Sequence, residues 1–504
     1  MTPLFEAARG MKAAGIALCF LLIPLGASAQ QTNTAAIQRI ESGLLFPVAV
    51  AGEPVPQKNI RGRMERYGAP AVSVTVIDQH RIAWSRAYGA IREDKTPATP
   101  ETLFQAASIS KPVTAAAALM LVSRGTLDLD VPVDRYLSSW KIPESALTAT
   151  SPITLRELLS HSAGISVHGF DGYEVGAPVP TLQQVLSGAP PANSLPIRVE
   201  QEPGKSWQYS GGGYTIVQQI LEDVTGKPFH QLMAELVLDQ LGMASSTFLQ
   251  PLPERQAQRA ATGYGDDGRP VAGRWHVYPE QAAAGLWTTA SDLAEFALWV
   301  MADGNPPGMS QDREAARLLI ARQPDLVNRY GGMGLGFFVG GEGAAKHFLH
   351  GGGNAGFRCY MIGFPATGQG VVIMTNSDSG IPLALEITRA VASEYQWPER
   401  FQRVITAQPV DAAQLAAYEG SYREGPASAD KMSIEAVPEG LAARLNTAPA
   451  VLLRMEGEDR FVDPESGTEY IFSSPADGEA KTLLVQPERG NTRTMTRQVV
   501  SNGQ

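Results

Sequence analysis

Residues Phe104-Gln-Ala-Ala-Ser108-Ile-Ser-Lys111 run without a break into Pro112-Val-Thr-Ala-Ala-Ala-Ala-Leu-Met-Leu-Val122, and the rest of the chain can be placed around that junction. The stretch from Lys111 to Val122 is dense in Ala, Leu and Met. It predicts a buried helix, with Pro112 tolerable near its start and Gly125 just past its end. Three-residue spacing puts Ser108 and Lys111 on one face of the first turn. A serine hydroxyl is a poor nucleophile until a base takes its proton, and a lysine amine is such a base only when desolvation lowers its pKa. An apolar helix supplies that burial, and its N-terminus favours negative charge developing on the nucleophile. The pattern Ser-x-x-Lys also occurs at Ser138–Lys141 and Ser428–Lys431. Neither of those opens a buried helix, so both read as ordinary surface residues.

Outward from this junction, a short helical pattern covers 35–45, and 71–77 and 81–89 predict two strands joined by Asp78-Gln-His80. After the buried helix, helical patterns at 154–159, 181–186, 214–225 and 229–241 alternate with Pro/Gly loops and predict a helical subdomain. Asp292-Leu-Ala-Glu295 reads as a capping-box start for another helix. Strands are predicted at 356–364 and 370–375, followed by a helix at 383–395. Sheet therefore encloses the helical block in sequence. Residues 401–410 read as a linker. Beyond it, short alternating segments punctuated by Pro438-Glu-Gly440, Pro464-Glu-Ser-Gly467 and Pro475-Ala-Asp-Gly478 predict a small antiparallel β-domain over 411–504.

Residues 1–29 have the form of a secretory signal peptide. Arg9 and Lys12 supply the positive region, Ala13 to Leu25 the apolar region and Ala27-Ser28-Ala29 the cleavage site. The expectation is an exported protein, periplasmic or secreted, with no membrane span once the leader is removed, because 13 apolar residues are too few to span. The 504-residue chain is 44% apolar and 18% charged with mean hydropathy near zero, as expected of a folded soluble protein of two to four domains. Its charge is 41 minus 51, or -10; without Arg9, Lys12 and Glu6 it is 39 minus 50, or -11. No Lys/Arg run forms a basic stripe, which sets nucleic acid aside as a partner. Cleavage leaves Cys359 as the one cysteine, so no internal disulfide is expected, and its apolar surroundings predict an inert thiol.

Other chemistries are excluded by what their motifs require. No Gly-x-Ser-x-Gly and no His-Glu-x-x-His occurs. Gly204-Lys-Ser206 resembles the end of a phosphate loop, but Val199 stands where its first glycine must be. Gly351-x-Gly353-x-x-Gly356 precedes a strand pattern where a dinucleotide fingerprint requires a helix. Of seven histidines only His347 and His350 share a metal-like spacing, without supporting ligands, so neither metal nor cofactor is expected.

Phe-Gln-Ala-Ala-Ser108-Ile-Ser-Lys111, Tyr209-Ser-Gly211 and His350-Gly-Gly352, in that order, resemble the penicillin-recognising serine hydrolases. The similar branch is the class C β-lactamase-related group of D-aminopeptidases, family VIII esterases and D-alanyl-D-alanine carboxypeptidases. Supporting stretches are Leu155-Arg-Glu-Leu-Leu-Ser-His161-Ser-Ala-Gly164, Pro203-Gly-Lys-Ser-Trp-Gln-Tyr209-Ser and Gly285-Leu-Trp-Thr-Thr-Ala-Ser-Asp292. The resemblance covers roughly residues 60 to 400, within a domain taken as 30–400. It implies an α/β (α+β) fold: a β-lactamase-like antiparallel sheet flanked by helices, with an inserted all-helical subdomain. The C-terminal domain resembles a lipocalin-like β-barrel. The resemblance further implies Ser108 as nucleophile, Lys111 as its base and Tyr209 as proton relay to the leaving group. The backbone N–H groups of Ser108 and Gly353 would form the oxyanion hole. His350, Gly351, Gly352 and Gly211 would contact substrate, with the glycines allowing close backbone approach.

Two positions depart from the class C pattern. Gly211 stands where an Asn would bond the substrate amide. His350 stands in place of a lysine, and an imidazole with an ordinary pKa near 6.5 binds a carboxylate less well at neutral pH. The expected function is acyl-enzyme hydrolysis of an amide or ester in a small-molecule or short-peptide substrate, D-amino-acid-containing peptides included. The alternatives are a class C-type β-lactamase and a non-catalytic binder of cell-wall peptide. His161 reads as structural, its ring bonded to loop backbone, and Trp207 and Trp287 as core residues near the cleft.

Overall fold

The structure is a computed structural model and describes residues 25–56, 58–302, 312–399, 401–425, 428–473, 481–488 and 491–498, with side chains from residue 34. The proposed leader lies outside the described residues up to residue 24. From Leu25 a helix runs to Ser42, starting before and ending earlier than the 35–45 pattern predicts. Among the described residues no helix is long and apolar enough to cross a membrane.

A seven-stranded antiparallel sheet is ordered Arg81–Gly89, Ala71–Asp78, Gln369–Thr375, Phe357–Phe364, His347–Asn354, Phe338–Gly340, Gly332–Met333. The first hairpin turns on Gln79 and His80, both at positive φ (53° and 57°), so the backbone twist matches that of the strands. Val72, Val74 and Val76 pair across to Thr375, Ile373 and Val371, which joins the start of the domain to its end. The enclosure of the helical block that the sequence suggests is thus built by this central pairing.

The Ser110–Ser123 helix is apolar nearly all round and is buried from Ser110 to Leu121. It lies in one core with the Ala290–Met301 helix and the helical subdomain, while the Ile381–Glu394 helix packs with residues of the other core. Three predicted elements differ in detail. The helix expected from Asp292 begins at Ala290, because Thr289 is the N-cap and accepts the Asp292 N–H at 3.1 Å. Asp292 instead accepts from Ser245 N–H and Ser246 hydroxyl. The 229–241 helix is α-helical over Phe229–Met233 and then widens to a π turn at Ala234–Leu238. Within the 401–410 stretch, Arg403–Ile405 forms a parallel pair with Val48–Val50.

Eight strands between Gly420 and Arg497 close into a barrel, the first pairing with the last. Tyr422, Leu441, Leu453, Phe461, Leu483 and Met495 are fully buried in its core. The barrel is tied to the rest through Arg63, whose guanidinium bonds Glu386 at 2.5 and 2.8 Å and barrel residue Glu465 at 2.8 Å. Arg389 holds Glu488 in the same way at 2.8 and 3.0 Å. Phe46, Tyr67, Leu385, Val451 and Tyr470 line a 730 Å³ cavity at this seam.

Candidate active site

The site begins where the His347–Asn354 strand meets the 3-10 turn Ala107–Ile109. A Cβ on Gly352 would lie 2.2 Å from the Ala106 carbonyl oxygen, so only glycine lets strand and turn approach this closely. Gly351 and Gly353 have only ordinary van der Waals neighbours around a Cβ, so Gly352 is the one of the three that packing within the chain itself requires to be glycine. Gly353 is exposed and pairs with Arg358. Ala107 takes φ +51°, a strained conformation for a side-chain-bearing residue, immediately before Ser108. From Thr102 to Leu121, Ser108 is the one residue that is not fully buried.

Lys111 is 2% exposed. Its Nζ lies 3.1 Å from Ser108 Oγ and 2.9 Å from the Ala283 carbonyl oxygen. Burial lowers its pKa to about 7, so the amine is substantially neutral at neutral pH. The short Gln281–Ala284 helix holds this amine in place. Its successive carbonyls at 282, 283 and 284, unpaired at a helix end, accept from Thr114, Lys111 and Asn354. Neither this backbone set nor Asn354 has a motif by which sequence could find it. The other Ser-x-x-Lys copies are not such sites: Lys141 bonds the Asp134 carbonyl at the surface and Lys431 is exposed.

Ser210 caps the Gly211–Thr225 helix and brings Tyr209 beside this pair. The Tyr209 ring lies 5.1 Å from Lys111 Nζ and is stacked with Phe338 at 6.3 Å. Burial raises its phenol above the usual range, against the pull of a hydrogen bond with Ser108. His350, 1% exposed, lies 6.3 Å from Tyr209, and burial with the nearby Lys111 lowers it to about 3. His161 accepts the Ser210 N–H at 3.1 Å, the backbone bond expected of it, but its ring also packs on Tyr209 at 4.3 Å. Gly211 opens the helix directly after Ser210. Its N–H is bonded to the His168 carbonyl, and a Cβ there would meet Phe170 at 3.0 Å. Trp207 packs near Tyr209 and Phe338, whereas Trp287 is core, edge-on to Trp275.

Cys359 is buried, donates to the Gln105 carbonyl and has its thiol pushed up to about 12, so it is inert. Among the described residues, no three potential metal ligands cluster.

A model of the Beta-lactamase family matches residues 56–396. The chain belongs to that family. It is 31% identical over 269 residues to Protein Rv1367c of Mycobacterium tuberculosis, covering 48% of this chain and 65% of that one. It is 32% identical over 201 residues to Esterase EstB of Burkholderia gladioli, covering 37% of this chain and 49% of that one. The chain thus spans about half to two thirds of the length of these relatives. The octameric penicillin-binding protein homologue from Pyrococcus abyssi superposes with a TM-score of 0.60 at 23% identity, over 87% of this chain and 98% of that one. That likeness is one of fold and extends over a far larger share of the present chain.

Proposed function

We propose that this protein is an exported serine hydrolase that cleaves an ester or amide bond through an acyl-enzyme on Ser108. The observation that carries the reading is the buried Lys111 amine, lowered to about pH 7 and 3.1 Å from the Ser108 hydroxyl. Neutral Lys111 takes the hydroxyl proton as Ser108 Oγ bonds to the acyl carbon. The backbone N–H groups of Ser108 and Gly353 receive the oxyanion. Tyr209, hydrogen-bonded to Ser108, gives its proton to the departing alcohol or amine and takes back the one Lys111 accepted, so both groups end neutral. Water then attacks the acyl-enzyme, and its second hydrogen restores the Ser108 hydroxyl as the acid leaves. Family membership and the esterase name of one relative support the reaction class. Short peptides, D-amino-acid-containing ones included, and simple esters are the substrates of this reading, and the leader supports a periplasmic or secreted location.

Intact mass after brief exposure to an activated ester and a D-amino-acid amide tests it. One acyl adduct is expected on the wild type and none on Ser108→Ala. An equal adduct on both proteins would remove Ser108 from the mechanism.

A further inference from the structure

Acylation as described leaves two buried imidazoles without a task. His161 and His350 are 2% and 1% exposed, both pack near Tyr209, and each has an Nε2 bonded to nothing among the described residues. Their Nδ1 atoms differ. His350 Nδ1 lies 2.7 Å from the Gly351 carbonyl oxygen, which can only accept, so a neutral ring carries its proton on Nδ1 and a lone pair on Nε2. His161 Nδ1 accepts the Ser210 N–H, so its proton is on Nε2. The backbone therefore fixes the two rings in opposite neutral tautomers beside one phenol. Protonating His161 would set a second N–H against that of Ser210. Protonating His350 would bury a cation with no acid to pair it.

The groups around these rings are Lys111, Tyr209, Tyr214, His168 and Phe338, with Tyr330 packed on Phe338. No carboxylate is among those that shift either ring. Arg329 is a fixed cation 4.9 Å over the Tyr330 ring that helps lower His168, but it is exposed, so solvent screens it.

Resting on Ser108 as the nucleophile, we propose that this centre selects uncharged acyl groups and turns away those carrying a carboxylate. A carboxylate drawn into the centre would meet the His350 lone pair in place of a cation and lose its hydration. The counter-charge beside it would be protonated Lys111, which in that form cannot take the Ser108 proton.

The test compares a p-nitrophenyl ester of adipic acid, its far carboxyl free, with the same compound methylated at that carboxyl. The expected kcat/KM ratio favours the methylated ester by about 10-fold or more, a difference of about 1.4 kcal/mol. His350→Lys should bring the ratio toward 1 or reverse it, and the uncharged His350→Gln should keep it. Nitrogen-15 NMR of the wild type, which reads the rings without turnover, should show His350 protonated on Nδ1 alone at pH 7. A ratio near 1 in the wild type, no response to His350→Lys, or a doubly protonated His350 would overturn this proposal while leaving Ser108 in place. No turnover of either ester would overturn both.

Discussion

Arg63 and Glu386 at the barrel seam are buried as deeply as Lys111 at the candidate active site, at 5%, 1% and 2% exposed. The seam pairs its charges completely: Arg63 reaches Glu386, Glu465 and Tyr67, and Arg389 reaches Glu488. The site does the reverse. Lys111 has a carbonyl and a hydroxyl as partners but no acid, and two imidazoles beside Tyr209 keep a nitrogen unbonded. Buried charge with partners holds structure together. Buried groups denied partners have their protonation shifted, and that is what acid–base chemistry requires.

Three substitutions test this contrast, and a fourth extends it. At the site, Ser108→Ala should lower turnover of an activated ester by about 10⁴-fold with an unchanged melting curve. At the seam, Arg63→Ala should strand Glu386 and destabilise the protein by roughly 3–5 kcal/mol in denaturant titration. The folded fraction should still acylate at the wild-type rate, because among the described residues no barrel side chain bonds the turn, the helix or the strand around Ser108. A rate that falls with Arg63→Ala would break the comparison. Gly352→Ala sits where both effects meet: its Cβ would press on the Ala106 carbonyl and part strand from turn. Misplacement of this kind lowers kcat/KM by about 10²-fold, with some loss of stability.

Ser108 and Lys111 were legible because the start of a buried helix is written in local sequence, and Tyr209 and His350 through the order of the motifs. Strands of the main sheet and an antiparallel C-terminal β-domain were legible from alternating patterns and turn residues, whereas the arrangement of that sheet and the closure of the barrel came from the family resemblance. The Ala283 carbonyl that fixes Lys111 was not, since it is backbone from 172 residues further along the chain. Phe338 and the second role of His161 arise only when distant loops converge on Tyr209. The pairing of Arg403–Ile405 with Val48–Val50 was hidden because three residues are too few to carry a period.

Glu280 sharpens the comparison by a smaller effect. It is fully buried at the start of the Gln281–Ala284 helix, neither oxygen has a partner among the other described residues, and burial raises it to about 8 against a bond to its own backbone. Its folded pKa lies above the unfolded one near 4.3, so the stability it gives is complete below that value. That stability is lost progressively as pH rises to about 8. Glu280→Gln should therefore flatten stability against pH, gaining roughly 1–3 kcal/mol over wild type at high pH. Denaturant titrations at acidic and alkaline pH measure it, and parallel curves would mean the carboxyl is ionised in the folded protein.

The most direct measurement is the rate of Ser108 acylation by an activated ester, followed by intact mass from pH 5 to 9. The rate should rise with a single ionisation near pH 7 as Lys111 loses its proton, then level off, and no adduct should form on Ser108→Ala. A rate independent of pH over that range would contradict a buried, neutral Lys111 as the base.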